Sequence, residues 1–205
     1  MATPLDAHEI NLRNAIKRVA EKFNEINRDF REFKNLLIQD KRVIMVVSRN
    51  FSSNPQRYSH QEFANLVNGK IEDLIKRFLI ANSHLNTLRE ELNFVKSSLR
   101  SIHQYASQDQ ALASLIAQFG VILSESESKI EELSELFSPV EESLRRFIPQ
   151  FISIGEHSQR VDVMEASFDN VYNFVDQSHL SIQNCMTTIL SYYRAQFKIY
   201  KRSRG

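Results

Sequence analysis

The sequence predicts an all-α protein, an elongated antiparallel up-down four-helix bundle with heptad (coiled-coil-like) packing, formed by a single domain over residues 1–205. Three observations favour this fold class. Apolar residues recur alternately every four and three positions, which is typical of helices that bury a narrow stripe against other helices. Glycine and proline, which break helices, number only four each. The predicted helices, about 4–50, 60–106, 108–154 and 158–202, are nearly equal in length, so each stripe can stay covered to its end.

The first helix has a marked start, because Thr3 is a capping residue type and Pro4 suits the first helical position. Its apolar stripe is interrupted only at position 40. The stripe positions are Leu12, Ile16, Val19, Phe23, Ile26, Phe30, Phe33, Leu37, Asp40, Ile44, Val47 and Phe51. A buried charge is costly unless it is paired. We therefore expect Asp40 to lean out at the edge of the bundle; the alternatives are a lysine or arginine partner, or a local opening.

A polar segment, Ser48–Ser59, separates the first two helices, and Pro55 within it has no place in a helix interior. Ser59, with Glu62 three residues later, forms a capping box at the start of the second helix. The second stripe consists of Val67, Ile71, Leu74, Phe78, Ala81, Leu85, Leu88, Leu92, Val95, Leu99, Ile102 and Ala106.

The third helix starts in a new register, which predicts a tight turn near Tyr105–Asp109 and not one very long helix. Ser107 and Gln110 again have the spacing of a capping box. The third stripe consists of Leu112, Ile116, Phe119, Leu123, Ser126, Ile130, Leu133, Phe137, Val140, Leu144, Phe147, Phe151 and Ile154. Pro139 and Pro149 are each expected to bend or interrupt this helix, which ends around Gly155.

The fourth helix begins near Ser158 and ends in a short basic tail. Its stripe consists of Val161, Met164, Phe168, Val171, Val175, Ser178, Ile182, Cys185, Ile189, Tyr192, Gln196 and Ile199. Cys185 is the single cysteine, and its place on the stripe predicts a small core residue in preference to a reactive thiol.

Four helices of this length, each roughly 70 Å long at 1.5 Å per residue, pack most simply within one chain. The alternative is an open arrangement in which the turns straighten and a second chain completes the core.

We predict no enzymatic activity, no cofactor and no metal, because no catalytic or ligand motif is present. The sequence contains no glycine-rich phosphate loop, no HExxH motif and no pair of cysteines. The nearest metal-like spacing is Asp176-x-x-His179, which occurs once, whereas di-iron bundles need repeated pairs. We expect Asp176 and His179 to form a solvated polar pair.

The N-terminus lacks the pattern of a secretory signal, and the most apolar short run, Val43–Val47, is too brief to span a bilayer. A lone cysteine fits a reducing compartment. We expect a cytoplasmic protein, with peripheral membrane association as the alternative. The net charge of +1 argues against a nucleic-acid-coating protein.

An acidic stretch on the third helix is a candidate surface for a basic protein partner. Its candidate residues are Glu125, Glu127, Glu131, Glu132 and Glu135. We favour the interpretation that these residues form the solvated face of that helix, since exposed helix faces are normally charged. Contact with a basic partner, or phosphorylation of the neighbouring serines, is the functional alternative.

A basic, aromatic cluster at the C-terminus is a candidate surface for anionic lipid or a partner. Its candidate residues are Tyr193, Arg194, Phe197, Lys198, Lys201, Arg202 and Arg204. Basic residues near an anionic membrane contribute roughly 1 kcal/mol each. We favour the interpretation that these cations complement the C-terminal end of the helix dipole, with attraction to anionic lipid as the functional alternative.

The stretch Leu133–Phe147, with Pro139 inside it, resembles the proline-bent second helix of BAR domains, which form dimeric membrane-bending crescents. The chain departs from that family in having an extra long helix before this stretch and a short final helix. The resemblance implies a membrane scaffold as the alternative function. The leading prediction is a non-enzymatic helical scaffold or protein–protein interaction domain that binds a partner along its long helical faces, with self-association as a further option.

Overall fold

Helices account for almost all of the chain that the computed structural model describes, namely residues 4–54, 60–105, 109–152 and 159–197. The helices are α1 (Pro4–Ser53), α2 (His60–Tyr105), α3 (Gln110–Glu135), α4 (Phe137–Ile152) and α5 (Gln159–Tyr192). A π-helical segment, Tyr193–Phe197, follows α5 directly. The described residues contain no strand, which confirms the predicted all-α class.

Most predicted stripe positions whose side chains the structure describes are buried. The stripe positions outside the described side chains are Ala106, Phe147, Phe151, Ile154, Val161 and Ile199. Every stripe position from Val67 to Ile102 in α2 and from Leu112 to Leu133 in α3 is buried. A few stripe residues are half-buried, namely Phe23, Val47, Val140, Cys185 and Tyr192. The spacing of apolar residues therefore identified the buried face of each helix nearly residue by residue.

The stripe prediction is wrong at Gln196, which is exposed, because the helix widens after Tyr192. Hydrogen bonds in a π-helix span five residues, so the residue that follows Tyr192 on the same face is Phe197. Phe197 packs against Phe119, with ring centroids 5.8 Å apart.

The third predicted helix is two helices, α3 and α4, separated by a turn at Leu136. Pro139 is the third residue of α4, and its ring nitrogen cannot donate a hydrogen bond to the carbonyl of Glu135. The predicted interruption is therefore confirmed about one turn before this proline. At Pro149 the helix is not interrupted, since α4 continues to Ile152.

Helices α2 and α3 are separate, as predicted, and Asp109 lies between them. The Asp109 Oδ1 atom accepts hydrogen bonds from the backbone N–H groups of Ala111 and Leu112, both at 3.1 Å. Asp109 thus caps α3, and the predicted cap residue Ser107 lies outside the described residues. The other predicted cap residues, Thr3, Ser59 and Gly155, also lie outside them.

Contacts divide the described residues into two compact units. The first unit falls within Met1–Asn27, Ser83–Ser134 and Leu180–Gly205. Phe119 stacks on Tyr192 at 5.3 Å in its core, and the Tyr192 hydroxyl donates to the Leu115 carbonyl at 3.2 Å. Ser126, the polar position in the α3 stripe, lies beside Cys185. Burial raises the pKa of the Cys185 thiol and the Ser126 hydrogen bond opposes this, which fits a core residue.

The second unit falls within Arg28–Asn82 and Glu135–His179. Its core is rich in aromatic rings. Phe137 at the start of α4 stacks on Phe78 with centroids 4.4 Å apart and meets Phe30 edge to face at 6.2 Å. Phe33 also contacts Phe78. Aromatic pairs in these arrangements contribute about 0.5–1.5 kcal/mol each beyond the area they bury.

Asp40 does not lean out of the second unit, which corrects the sequence-based expectation. Only 3% of Asp40 is exposed, and its Oδ1 atom lies 2.6 Å from Nζ of Lys70 on α2. The alternative of a lysine partner is therefore confirmed. The long lysine stem lets the ammonium reach an inward-facing carboxylate while the residue itself stays at the edge of the core.

Among the described residues, no helix combines the length and apolar character needed to cross a membrane.

Candidate functional site

An open groove between α2 and α3, within the first unit, is the main candidate site. Its volume is about 760 Å³. We call it the α2–α3 groove. It is lined by Lys96, Leu99, Arg100, His103, Gln104, Ile116, Ala117, Gly120, Val121, Ser124 and Glu125.

The floor of the α2–α3 groove is apolar, and three of its residues on the α3 side are small, namely Ala117, Gly120 and Ser124. Val121 lies off the buried stripe and is 56% exposed, although it is a large apolar residue. Gly120 stands beside it in the middle of α3, where a Cβ atom would meet nothing within 4 Å. Glycine inside a helix costs roughly 0.5–1 kcal/mol relative to alanine. No neighbouring atom among the described residues would clash with a side chain at position 120, so the space above Gly120 is open.

Charged residues flank the α2–α3 groove. Lys96 on α2 forms an ion pair with Glu127 on α3. Arg100 on the α2 wall and Glu125 on the α3 wall are both exposed, and neither has an ion-pair partner among the described residues. The groove therefore combines an apolar floor with one available charge of each sign.

A second groove lies between α1 and α5 within the second unit, with a volume of about 480 Å³. Its walls include Ile38 and Val46, which are exposed apolar residues of α1. Its charges are largely neutralised inside the unit. Lys41 binds Asp169 at 2.6 Å, and Arg49 and Lys41 bind the carboxylate of Glu165 at 2.9 and 3.5 Å. This groove thus offers fewer available charges to an external partner than the α2–α3 groove.

The predicted acidic surface is partly neutralised by α2. Glu127 pairs with Lys96, and Glu131 pairs with Arg89 at 2.7 Å. Glu132 binds Lys129 of its own helix at 2.8 Å. The remaining two, Glu125 and Glu135, are exposed. The structure therefore distributes the five glutamates over several environments, and only Glu125 lines the α2–α3 groove.

The predicted basic surface lies mostly outside the described residues, which is the case for Lys198, Lys201, Arg202 and Arg204. Arg194 is exposed. Tyr193 and Phe197 are half-buried and stack on each other at 6.2 Å. Because Phe197 also contacts Phe119, one of the three described residues of this surface takes part in the core of the first unit.

Asp176 and His179 do not form the solvated pair that we expected. Asp176 is exposed and binds Lys34 at 2.7 Å; this hydrogen bond and the lysine charge lower the pKa of Asp176. His179 is only 4% exposed and stacks on Phe30 at 5.3 Å. Burial, and then the charges of Lys34 and Arg31, lower the pKa of His179 to about 4. No group of three potential metal ligands occurs in the described ranges.

Sequence reasoning missed the α2–α3 groove. Two signals were present, namely a glycine in the middle of a strong helix and a large apolar residue, Val121, off the stripe. Arg100 carried no signal, because a lone arginine on a helix surface is ordinary.

Compared with known proteins, the chain matches no family model, no curated protein and no solved structure.

Proposed function

We propose that this chain is a non-enzymatic helical scaffold or interaction domain that binds a protein partner along its helical faces. The observation that carries the proposal is the α2–α3 groove, in which exposed Val121 and the open space above Gly120 form an apolar surface flanked by charges. Helical bundles commonly bind an amphipathic helix in such a groove, where apolar side chains provide affinity and flanking charges provide orientation.

We further propose that the chain is a single domain whose helices run up and down in antiparallel order with heptad packing. The support comes from pairs of contacting residues inside each unit, in which the number of one partner falls as the other rises. In the second unit these pairs are Glu32–Arg77, Asp40–Lys70 and Phe51–Phe63 for α1 and α2, and Lys34–Asp176, Lys41–Asp169 and Arg49–Glu165 for α1 and α5. In the first unit they are Asn86–Ser134, Arg89–Glu131 and Lys96–Glu127 for α2 and α3.

A photoreactive amino acid at position 121, introduced into the full chain in cells, tests the interaction proposal. We expect irradiation to give a covalent protein adduct of defined mass, because the side chain at this position faces the groove. The matched control is the same substitution at Leu180, which is 58% exposed and lies outside the groove. Equal adducts at both positions, or none at position 121, would contradict the proposal.

The competing proposal is a membrane-associating helical domain, either a BAR-like scaffold or a lipid-active bundle, that binds anionic lipid with its basic C-terminal end. The exposed Arg194 supports it, whereas the packing of Phe197 on Phe119 removes one aromatic ring from that surface. Sedimentation with vesicles of anionic lipid at low salt separates the two proposals. Retention that is lost on truncation after Ile199 and absent with neutral vesicles would favour the membrane domain. The interaction domain is expected to stay in the supernatant with both.

A further inference from the structure

The two available charges of the α2–α3 groove lie on opposite walls. Arg100 is on the α2 wall and Glu125 is on the α3 wall. The neighbouring pairs Lys96–Glu127 and Arg89–Glu131 show which part of α3 faces which part of α2. Extending the same antiparallel trend beyond Lys96–Glu127 places Arg100 and Glu125 within about one helical turn of each other along the groove, since each turn spans about 5.4 Å.

A surface with one charge of each sign on opposite walls is complementary to its own copy. When two identical faces meet about a two-fold axis parallel to the helices, the α2 wall of one copy faces the α3 wall of the other. Each residue pair in such an isologous interface occurs twice. Arg100 of each copy then meets Glu125 of the other, so both available charges of both grooves are paired.

The apolar floor fits the same occupant. Val121 is exposed beside Gly120, and the absence of a side chain at position 120 leaves room for the partner to approach the backbone of α3. Gly120 lowers the stability of α3, and no packing among the described residues requires a glycine there. In a dimer, burial of Val121 and close approach of the two backbones would offset this destabilisation.

We propose that the α2–α3 groove is a self-association surface, and that its occupant is the same groove of a second copy of this chain. The proposal deepens the interaction function proposed above and rests on it, because it names the partner of that surface. Arg100 and Glu125 form the two reciprocal ion pairs, and Val121 lies near the two-fold axis.

Charge reversal measured by sedimentation equilibrium tests the proposal with the full chain. We expect the wild-type chain to form a reversible dimer. Arg100→Glu and Glu125→Arg should each weaken the dimer by about tenfold or more, since each single reversal places two like-charge pairs in the interface. The double variant should restore dimerisation. The matched controls are Arg13→Glu and Glu90→Arg, which reverse exposed charges outside the groove and should change nothing.

Mixing the two single variants provides the sharpest result. In a heterodimer of Arg100→Glu with Glu125→Arg, both reciprocal contacts become attractive again. The equimolar mixture should therefore dimerise about as tightly as wild type, although each component alone does not. Loss of folding in either variant cannot produce this rescue, and circular dichroism of each variant checks that the helices are intact.

Filling the groove gives an independent measurement. Gly120→Leu should weaken the dimer while leaving the monomer at least as thermally stable as wild type, because a Cβ at this position meets nothing within 4 Å and leucine is a better helix former. A monomeric wild-type chain at millimolar concentration, or a dimer insensitive to all three substitutions, would overturn the self-association proposal. If the photoreactive group at position 121 still captured another protein, the interaction function would stand while this inference failed.

Discussion

Asp40 shows how one inward-facing carboxylate is accommodated in an otherwise apolar stripe. Its partner Lys70 lies on a different helix and reaches it at 2.6 Å. Desolvating a charge costs several kcal/mol, and an ion pair with good geometry offsets that cost. The folding stability of the chain therefore depends on both partners being present.

We predict that Lys70→Ala destabilises the chain by about 2–4 kcal/mol, because it leaves the Asp40 carboxylate buried without its partner. Urea unfolding followed by circular dichroism measures this change. The control Lys76→Ala removes a lysine from an exposed pair with Asp73, in which both side chains are about 70% exposed, and should change stability by about 0.5 kcal/mol or less. A second variant, Asp40→Leu combined with Lys70→Met, should recover most of the loss; equal effects of Lys70→Ala and Lys76→Ala would contradict the prediction.

His179 gives the fold a dependence on pH. It stacks on Phe30, and the charged groups that face it are Lys34 and Arg31 on α1 and Asp176 on its own helix. Its pKa is lowered from 6.5 to about 4, so the folded chain binds fewer protons here than the unfolded chain between these values. The contribution of His179 to the free energy of unfolding is fully present above about pH 6.5 and is lost as the pH falls toward 4.

We therefore predict that wild-type stability declines by about 1–3 kcal/mol between pH 7 and pH 4 from His179 alone. His179→Gln, which cannot titrate, should show a shallower decline over this range, whatever its stability at pH 7. Chemical unfolding at a series of pH values measures both slopes. The carboxylate of Asp176, whose pKa is lowered by Lys34, adds a further loss only near and below pH 4. Parallel slopes for wild type and His179→Gln would count against the assignment.

At the scale of elements, the start of α3 depends on a single side chain. Asp109 accepts two backbone hydrogen bonds at the N-terminus of the helix, and its charge also complements the helix dipole. These interactions hold the junction at which the second and third stripes change register.

Asp109→Ala should cost about 1 kcal/mol, which is typical for the loss of an N-terminal cap, whereas Asp109→Asn should cost less because the amide oxygen still accepts a hydrogen bond. Differential scanning calorimetry measures both variants. Asp73→Ala, at an exposed position inside α2, is the control. Similar melting temperatures for Asp109→Ala and wild type would mean that the cap does not stabilise α3.

The boundaries of the helices show what periodicity predicts and what it does not. The stripe of α3 and α4 runs through Leu133 and Phe137 without a change of spacing, so the stripe alone indicates one helix. The turn at Leu136 arises because Pro139 lacks an N–H donor, and proline was the signal that predicted an interruption. The π-helical segment carried no such signal. It brings Phe197 into contact with Phe119, which is more than seventy residues earlier in the chain and so is not visible in local spacing.

At the scale of the whole molecule, the sequence predicted the helical class and most buried positions, because burial repeats with the period of the helix. It did not predict which residues meet across helices. Asp40 was expected to face outward because burying an unpaired charge is costly, and local spacing could not identify Lys70, thirty residues away, as its partner. His179 was expected to be solvated because its contact with Phe30 is not visible in local spacing. The groove beside Gly120 was missed for the same reason, since a groove is a property of two helices together.

Both units draw their residues from separated stretches of the chain, and this arrangement has a consequence for synthesis on the ribosome. The ion pair between Lys34 of α1 and Asp176 of α5 cannot form until Asp176 has been synthesised, 142 residues later. At translation rates of about 5–20 residues per second, that interval lasts roughly 7–28 seconds. During this time the nascent chain presents the Phe30 side of α1 before its final neighbour has emerged. A hydrophobic surface that stays exposed for that long is a natural substrate for chaperones that act at the exit tunnel.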